Sequence, residues 1–260
     1  MRKIAALIVG VFVASLAMVA VAQADDIQSI TANLTPSKRS KKSFKPAQIY
    51  VEILTADNTT NPTTPEQPPS ATRTAVDFPK NAKFDPKAVP KCKVSNAALD
   101  GTSTDSAIDA CGSKSIVSVG SSPETTTPGH TTGTSAWVTI DSPGPNSTLE
   151  VPVVVTAFNG KEKDSLYLHS RANLLGVTTV LVGKLKTGNK APAGYGSRLD
   201  VTIPPLALGA ITRFTTTVKA GKYVQARCKS KNENWRATTD FTNWTKPTAV
   251  DTYTSKCKQK

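Results

Sequence analysis

The chain has 260 residues, with 32 Lys and Arg against 19 Asp and Glu, a formal net charge of +13, four Cys and only two His. Two histidines leave little room for a general base or a multi-histidine metal site, and the length suffices to bury a sizeable core in one all-β domain. The positive excess points to an acidic partner, with solubility alone as the plain alternative.

The chain opens Met1-Arg2-Lys3, continues with an apolar run from Ile4 to Ala22, and reaches Ala22-Gln23-Ala24 before Asp25 and Asp26. A basic start, an apolar middle and small residues before an acidic pair are what signal peptidase reads, so residues 1–24 are expected to be a secretory signal peptide. An uncleaved anchor is the alternative, since the run approaches the roughly 20 residues that span a bilayer. No later segment is long and apolar enough to form a transmembrane helix, so none is expected after cleavage. Residues 25–260 are expected to form a single β-sandwich-like domain in the envelope or outside the cell, with a net charge of about +11 once Arg2 and Lys3 are removed.

Along the mature chain, Ile49, Val51 and Ile53 alternate with polar residues, the pattern of a strand with one buried face. A Thr/Pro-rich stretch at 57–72 breaks the pattern and is expected to be a mobile loop or linker. Cys92 and Cys111 bracket the one partly helical stretch, Ser95 to Ala110, which Gly101-Thr102-Ser103 should split into two short turns. A second Thr/Pro-rich loop is expected at 121–134. Val151, Val153, Val155 and Ala157 again share one strand face. Val177 to Leu185 is apolar on both parities, as in a central strand covered on both sides. Leu199, Val201 and Ile203 oppose Arg198, Asp200 and Thr202. Ala220-Gly221 looks like a near two-residue hairpin between a strand ending at Lys219 and one beginning at Lys222. Val224, Ala226 and Cys228 then aim the Cys228 thiol inward. Many short strands joined by turns argue for an all-β fold, an antiparallel sandwich or jelly roll with a short disulfide-stapled helical insert.

In an oxidising compartment the four cysteines are expected as disulfides. Three connectivities exist, and pairing Cys92 with Cys111 and Cys228 with Cys257 closes the shortest loops. Each such bridge removes roughly 3 kcal/mol of unfolded-state entropy on the simple loop model. Zinc is disfavoured, because no two cysteines are close in sequence.

The string from Tyr195 to Pro205, with Phe158-Asn159-Gly160, Pro90-Lys91-Cys92 and the Asp109-Ala110-Cys111-Gly112 turn, resembles a group of uncharacterised secreted bacterial proteins. The resemblance spans most of the mature chain. It implies an exported β-rich domain without a known activity, and it assigns no functional residue.

Candidate chemistry is sparse. His130 lies in a Thr/Gly/Pro loop, and His169 falls on the strand face shared by Tyr167 and Arg171, expected to be solvated. No nucleophile elbow or zinc-protease helix is present. Asp100, Asp105, Asp109, Glu150, Asp164 and Asp200 could supply the two acids of a glycoside hydrolase, but their spacing singles out no pair. The Asp100–Asp105 loop lacks the ligand series of a calcium site. No catalytic residue, metal ligand or cofactor is therefore assigned. The segment from Leu206 to Lys260 carries 11 basic residues against Glu233, Asp240 and Asp251, together with Trp235 and Trp244. Arg213, Lys219, Lys222, Arg227, Trp235 and Trp244 are accordingly the candidate binding residues, basic groups for phosphate or sulfate and indoles for stacking. The alternative is that Trp235 and Phe241 are core residues pinned by Cys228 and Cys257. Lys38-Arg39-Ser40-Lys41-Lys42-Ser43-Phe44-Lys45 is a second basic patch or a charged loop. The expected partner is an anionic envelope polymer or polysaccharide, and specific nucleic-acid binding is not expected. Asn33, Asn58, Asn146 and Asn243 head glycosylation sequons.

The sequence thus supports a secreted, non-enzymatic β-rich protein that binds or decorates the cell envelope through a basic surface. A secreted glycan-active hydrolase and a structural matrix protein are the alternatives.

Overall fold

The computed structural model describes residues 28–55, 70–119, 134–141, 148–204, 209–242 and 248–260. The expected signal peptide, His130, Trp244, Asn58, Asn146 and Asn243 lie outside them. So does most of both Thr/Pro-rich stretches. The described ends of those stretches are ordered, however: Ala71 and Thr72 begin a strand, and Thr134 is fully buried.

The fold is all-β. The strands are β1 (Gln28–Thr35), β2 (Lys38–Arg39), β3 (Lys45–Thr55), β4 (Ala71–Phe78), β5 (Ala82–Phe84), β6 (Ser135–Asp141), β7 (Thr148–Asn159) and β8 (Ser165–Ala172). They continue with β9 (Val177–Thr187), β10 (Ser197–Thr202), β11 (Ala210–Ala226), β12 (Asn232–Phe241), β13 (Thr248–Lys256) and β14 (Lys258–Gln259). One antiparallel sheet runs β1-β3-β11-β6-β7-β8-β9-β10-β4-β12-β13, with β5 added beside β11. The sheet curls until its two edges meet. β1 lies against β13, and the Ile30 amide donates to the Asp251 carboxylate at 2.8 Å. Opposite walls therefore face each other across one core, which is how a sandwich buries the inner face of each strand.

The alternation read from the sequence sets this core. Ile49, Val51 and Ile53 are buried beside Ile30, Ala32 and Leu34 of the neighbouring strand, and Val153, Val155 and Ala157 join them from β7. Trp235, Ala237 and Phe241 complete the packing from β12, where Phe78 makes edge-to-face contact with both Phe84 and Trp235.

Residues 86–115 form a cap on the outer face of β7, β8 and β9. Its helix α1 (Thr104–Cys111) starts at Ser103, whose hydroxyl accepts from the Ser106 amide, and ends at Gly112, with φ +82°. A 3-10 turn at Asn96–Ala98 precedes it, and Gly101, with φ +72°, makes the break. Only glycine adopts such a backbone without strain. The Cys92–Cys111 disulfide closes the cap over Leu99, Ala107, Phe158 and Tyr167. Val180 and Val182 pack beneath the same cluster, which explains why β9 is apolar on both parities.

Two expectations are corrected. Ala220-Gly221 is no hairpin: β11 runs unbroken through it, with register shifts on either side of Gly221 where the strand exchanges neighbours. A glycine within a strand marks such a bulge as readily as a turn. His169 is not solvated, because the cap covers its strand face; its Nε2 lies 3.2 Å from the Thr102 hydroxyl.

Candidate functional site

Most of the ion pairs among the described residues lie away from the main cluster of lysines. On the outer face of β10, β4 and β12, Arg198, Asp77 and Arg236 are cross-strand neighbours in one row. Asp77 is fully buried and receives Arg198 Nε at 2.6 Å, Arg198 Nη2 at 2.9 Å and Arg236 Nε at 2.7 Å. A second set of ion pairs joins Arg73 to Asp200 at 2.6 Å and to Asp240 at 2.9 Å, with Lys186 on Asp200 at 2.9 Å. Burial opposes charge on Asp200, but the hydrogen bonds from Arg73 and Lys186 prevail and hold its carboxyl below the usual range. Arg213 pairs with Glu52 at 3.3 Å. These pairs lock neighbouring strands.

Eleven lysines gather elsewhere. Thr35 ends β1, Lys45 opens β3, Ala226 ends β11, Asn232 opens β12 and Lys256 ends β13, all at one end of the curled sheet. Four segments remote in sequence are tied together there. The Cys228 amide donates to the Ser40 carbonyl at 2.8 Å, and the Arg227 amide to the Asn81 carbonyl at 2.9 Å. The Lys258 amide donates to Ser37 and the Lys260 amide to Arg39, each at 2.9 Å, so that β14 and β2 form a short parallel ladder. The Cys228–Cys257 disulfide fastens the same end.

Beneath this clasp lies a buried polar knot. Arg39 donates to the carbonyls of Leu34 and Pro36, at 2.8 and 2.7 Å, and forms an ion pair with Glu233. Asn81 donates to the Glu233 carboxylate at 3.0 Å and to the Ser230 carbonyl at 2.7 Å, while its oxygen accepts from the Lys229 amide at 3.1 Å. The Arg39 Nη1 and Nη2 groups are thus satisfied inside the knot, whereas its buried Nε has no hydrogen-bond partner among the described residues.

The knot neutralises Glu233 and leaves the surface above it uniformly basic. Residues 37–45, 79–83, 227–232 and 256–260 contain 13 Lys and Arg and no Asp or Glu. Lys38, Lys41, Lys42, Lys45, Lys80, Lys83, Lys229, Lys231, Lys256, Lys258 and Lys260 are all exposed. Among the described residues none of them forms a salt bridge. Arg227 stacks over the Phe44 ring at 4.5 Å. Closely spaced, unpaired like charges create a potential that recruits a polyanion.

The six binding candidates read from the sequence are placed differently. Arg227 belongs to this end, and Lys222 is exposed close to it, beyond the Gly221–Ala47 pair. Lys219 is exposed farther along β11, and Arg213 is tied to Glu52 near the opposite end. Trp235 is corrected: it is fully buried, with its indole N–H donating to Ser255 at 2.9 Å, and offers no face to a ligand. Trp244 lies outside the described residues. The lysines of 80–83 and 256–260 were missed as members of one site, although the Lys38–Lys45 run was visible. Their common signal, the absence of acids, is dispersed over four segments.

Of the acids considered for hydrolysis, Asp100, Asp105, Asp109 and Glu150 are exposed, and Asp200 is bound in its ion pairs. Among the described residues no helix is long and apolar enough to cross a membrane. No protein-family model, curated protein or solved structure matches the chain.

Proposed function

We propose that the protein is an exported, non-enzymatic binding protein that holds an anionic polymer of the cell envelope on its lysine-rich, disulfide-clasped end. The observation that carries this reading is the convergence of four basic segments, free of acids, on one rigid end of the fold. Two disulfides and the signal-like leader support an extracytoplasmic setting. Lysine suits the task, because its compact, hydrated charge on a flexible stem adapts to a diffuse polyanion without a fixed donor geometry.

Co-sedimentation of the oxidised protein with purified cell wall, anionic polysaccharide and acidic liposomes tests the proposal. Binding is expected at low salt, and it should fall with added salt and in a Lys38→Glu, Lys229→Glu, Lys258→Glu variant. No binding to any of these supports at low salt would remove the function, and undiminished binding by the variant would move it to another surface.

A further inference from the structure

The interior of the curled sheet is not completely filled. A cavity of about 100 Å³ lies between its walls, lined by side chains of β3, β4, β7, β8, β9, β10, β11 and β12. Protein interiors seldom leave voids larger than a water molecule, and roughly 10–15 Å³ of such space already accommodates one. Water is a poor occupant here, because a buried water needs two to four polar partners, and most of the lining is aliphatic or aromatic, including Leu168, Leu181, Val201 and Phe214.

The few polar groups narrow the choice of occupant. Thr74 and Thr239 bond to each other at 3.1 Å, and Thr216 bonds to Thr134 at 3.2 Å. Thr55 and Tyr223 also line the cavity, and Tyr223 is buried and supplies the one phenol among the described lining residues. Burial raises the hydroxyl's pKa above its ordinary value, so it stays protonated and remains a donor. Shape narrows it further. The lining extends along β3 from Ile49 to Thr55, about 20 Å of strand at roughly 3.3 Å per residue. A lining of that length matches an extended hydrocarbon chain.

We infer that the cavity is a binding site for a slender lipophilic molecule, a single hydrocarbon chain carrying one oxygen acceptor that meets the Tyr223 hydroxyl. This site is separate from the lysine-rich end, and neither reading depends on the other.

Titration with cis-parinaric acid, a linear fluorescent fatty acid, tests the inference, with dodecanol as an uncharged competitor. Wild-type protein should bind the probe saturably at one site, and dodecanol should displace it. Val201→Phe, which fills the cavity, should weaken binding at least about tenfold, and Tyr223→Phe should weaken dodecanol several-fold. The Lys38→Glu, Lys229→Glu, Lys258→Glu variant should bind dodecanol as wild type does. Should Val201→Phe not fold, nuclear Overhauser contacts from bound dodecanol to the Leu181 and Val201 methyls of the wild type decide the matter. Absence of saturable binding, binding unaltered by Val201→Phe in a folded protein, or a bound chain with no contact to those methyls each overturns it.

Discussion

Lys38 and Lys258 are direct partners in the parallel ladder of β2 and β14, although nearly the whole chain separates them. Two exposed ammonium groups side by side repel one another, and like charges directly opposite destabilise a strand pair. The clasp nevertheless closes, held by the Cys228–Cys257 disulfide and by the backbone bonds from Lys258 and Lys260. The paired lysines are therefore held side by side by these bonds and not by their own charges.

The knot under that surface yields the first prediction. Glu233 supplies the only carboxylate paired with buried Arg39 among the described residues. Glu233→Gln leaves Arg39 uncompensated and should cost about 3–5 kcal/mol, read by urea unfolding. Arg39→Met combined with Glu233→Leu removes both charges and should recover much of that loss. A double variant no more stable than Glu233→Gln would show that the ion pair is not the source of the effect.

Asp77 is the corresponding hub of the outer face. Asp77→Ala removes the partner of Arg198 and Arg236 at once. Both guanidinium groups keep some contact with water, so the loss should be about 3 kcal/mol, at the low end for a broken buried pair. The decrease should appear as a lower urea midpoint with an unchanged slope.

His169 makes stability depend on pH. Burial lowers its pKa below the ordinary 6.5, and the charge of nearby Arg171 acts in the same direction. Below 6.5 the unfolded chain takes up a proton that the folded site resists, so the unfolded state gains and stability falls. The contribution is complete above about pH 6.5 and is lost as pH decreases below it. Melting temperatures from pH 7.5 to 5.5 should decline, and His169→Gln should flatten the decline. An equal slope in the variant would place the dependence elsewhere.

Much of the fold was legible in the sequence because it is written in short-range pattern. The alternation of Ile49, Val51 and Ile53, the Gly101 break and the two local cysteine pairs each specify structure within about 30 residues. Features that depend on distant partners were not legible. His169 has the parity of an exposed residue, and only the cap from 86 to 115 buries it. Gly221 carries a turn signal, but the strands on both sides of β11 keep the chain straight through it. The lysine-rich end was half visible. Counting charge by segment found Lys38–Lys45 and the basic C-terminal region, yet selected Arg213 and Trp235, which strand pairing commits to Glu52 and to the core. Only the folded connections among residues 37–45, 79–83, 227–232 and 256–260 reveal a single surface.

The most direct test of that surface is the salt dependence of the dissociation constant for a defined polyphosphate, measured with wild-type protein and with the Lys38→Glu, Lys229→Glu, Lys258→Glu variant. Release of counterions from several lysines predicts a linear, steep fall in log affinity with log salt. The variant should bind at least about tenfold more weakly at low salt, with a shallower slope. Equal affinities and equal slopes for the two proteins would contradict the assignment of the lysine-rich end as the binding site.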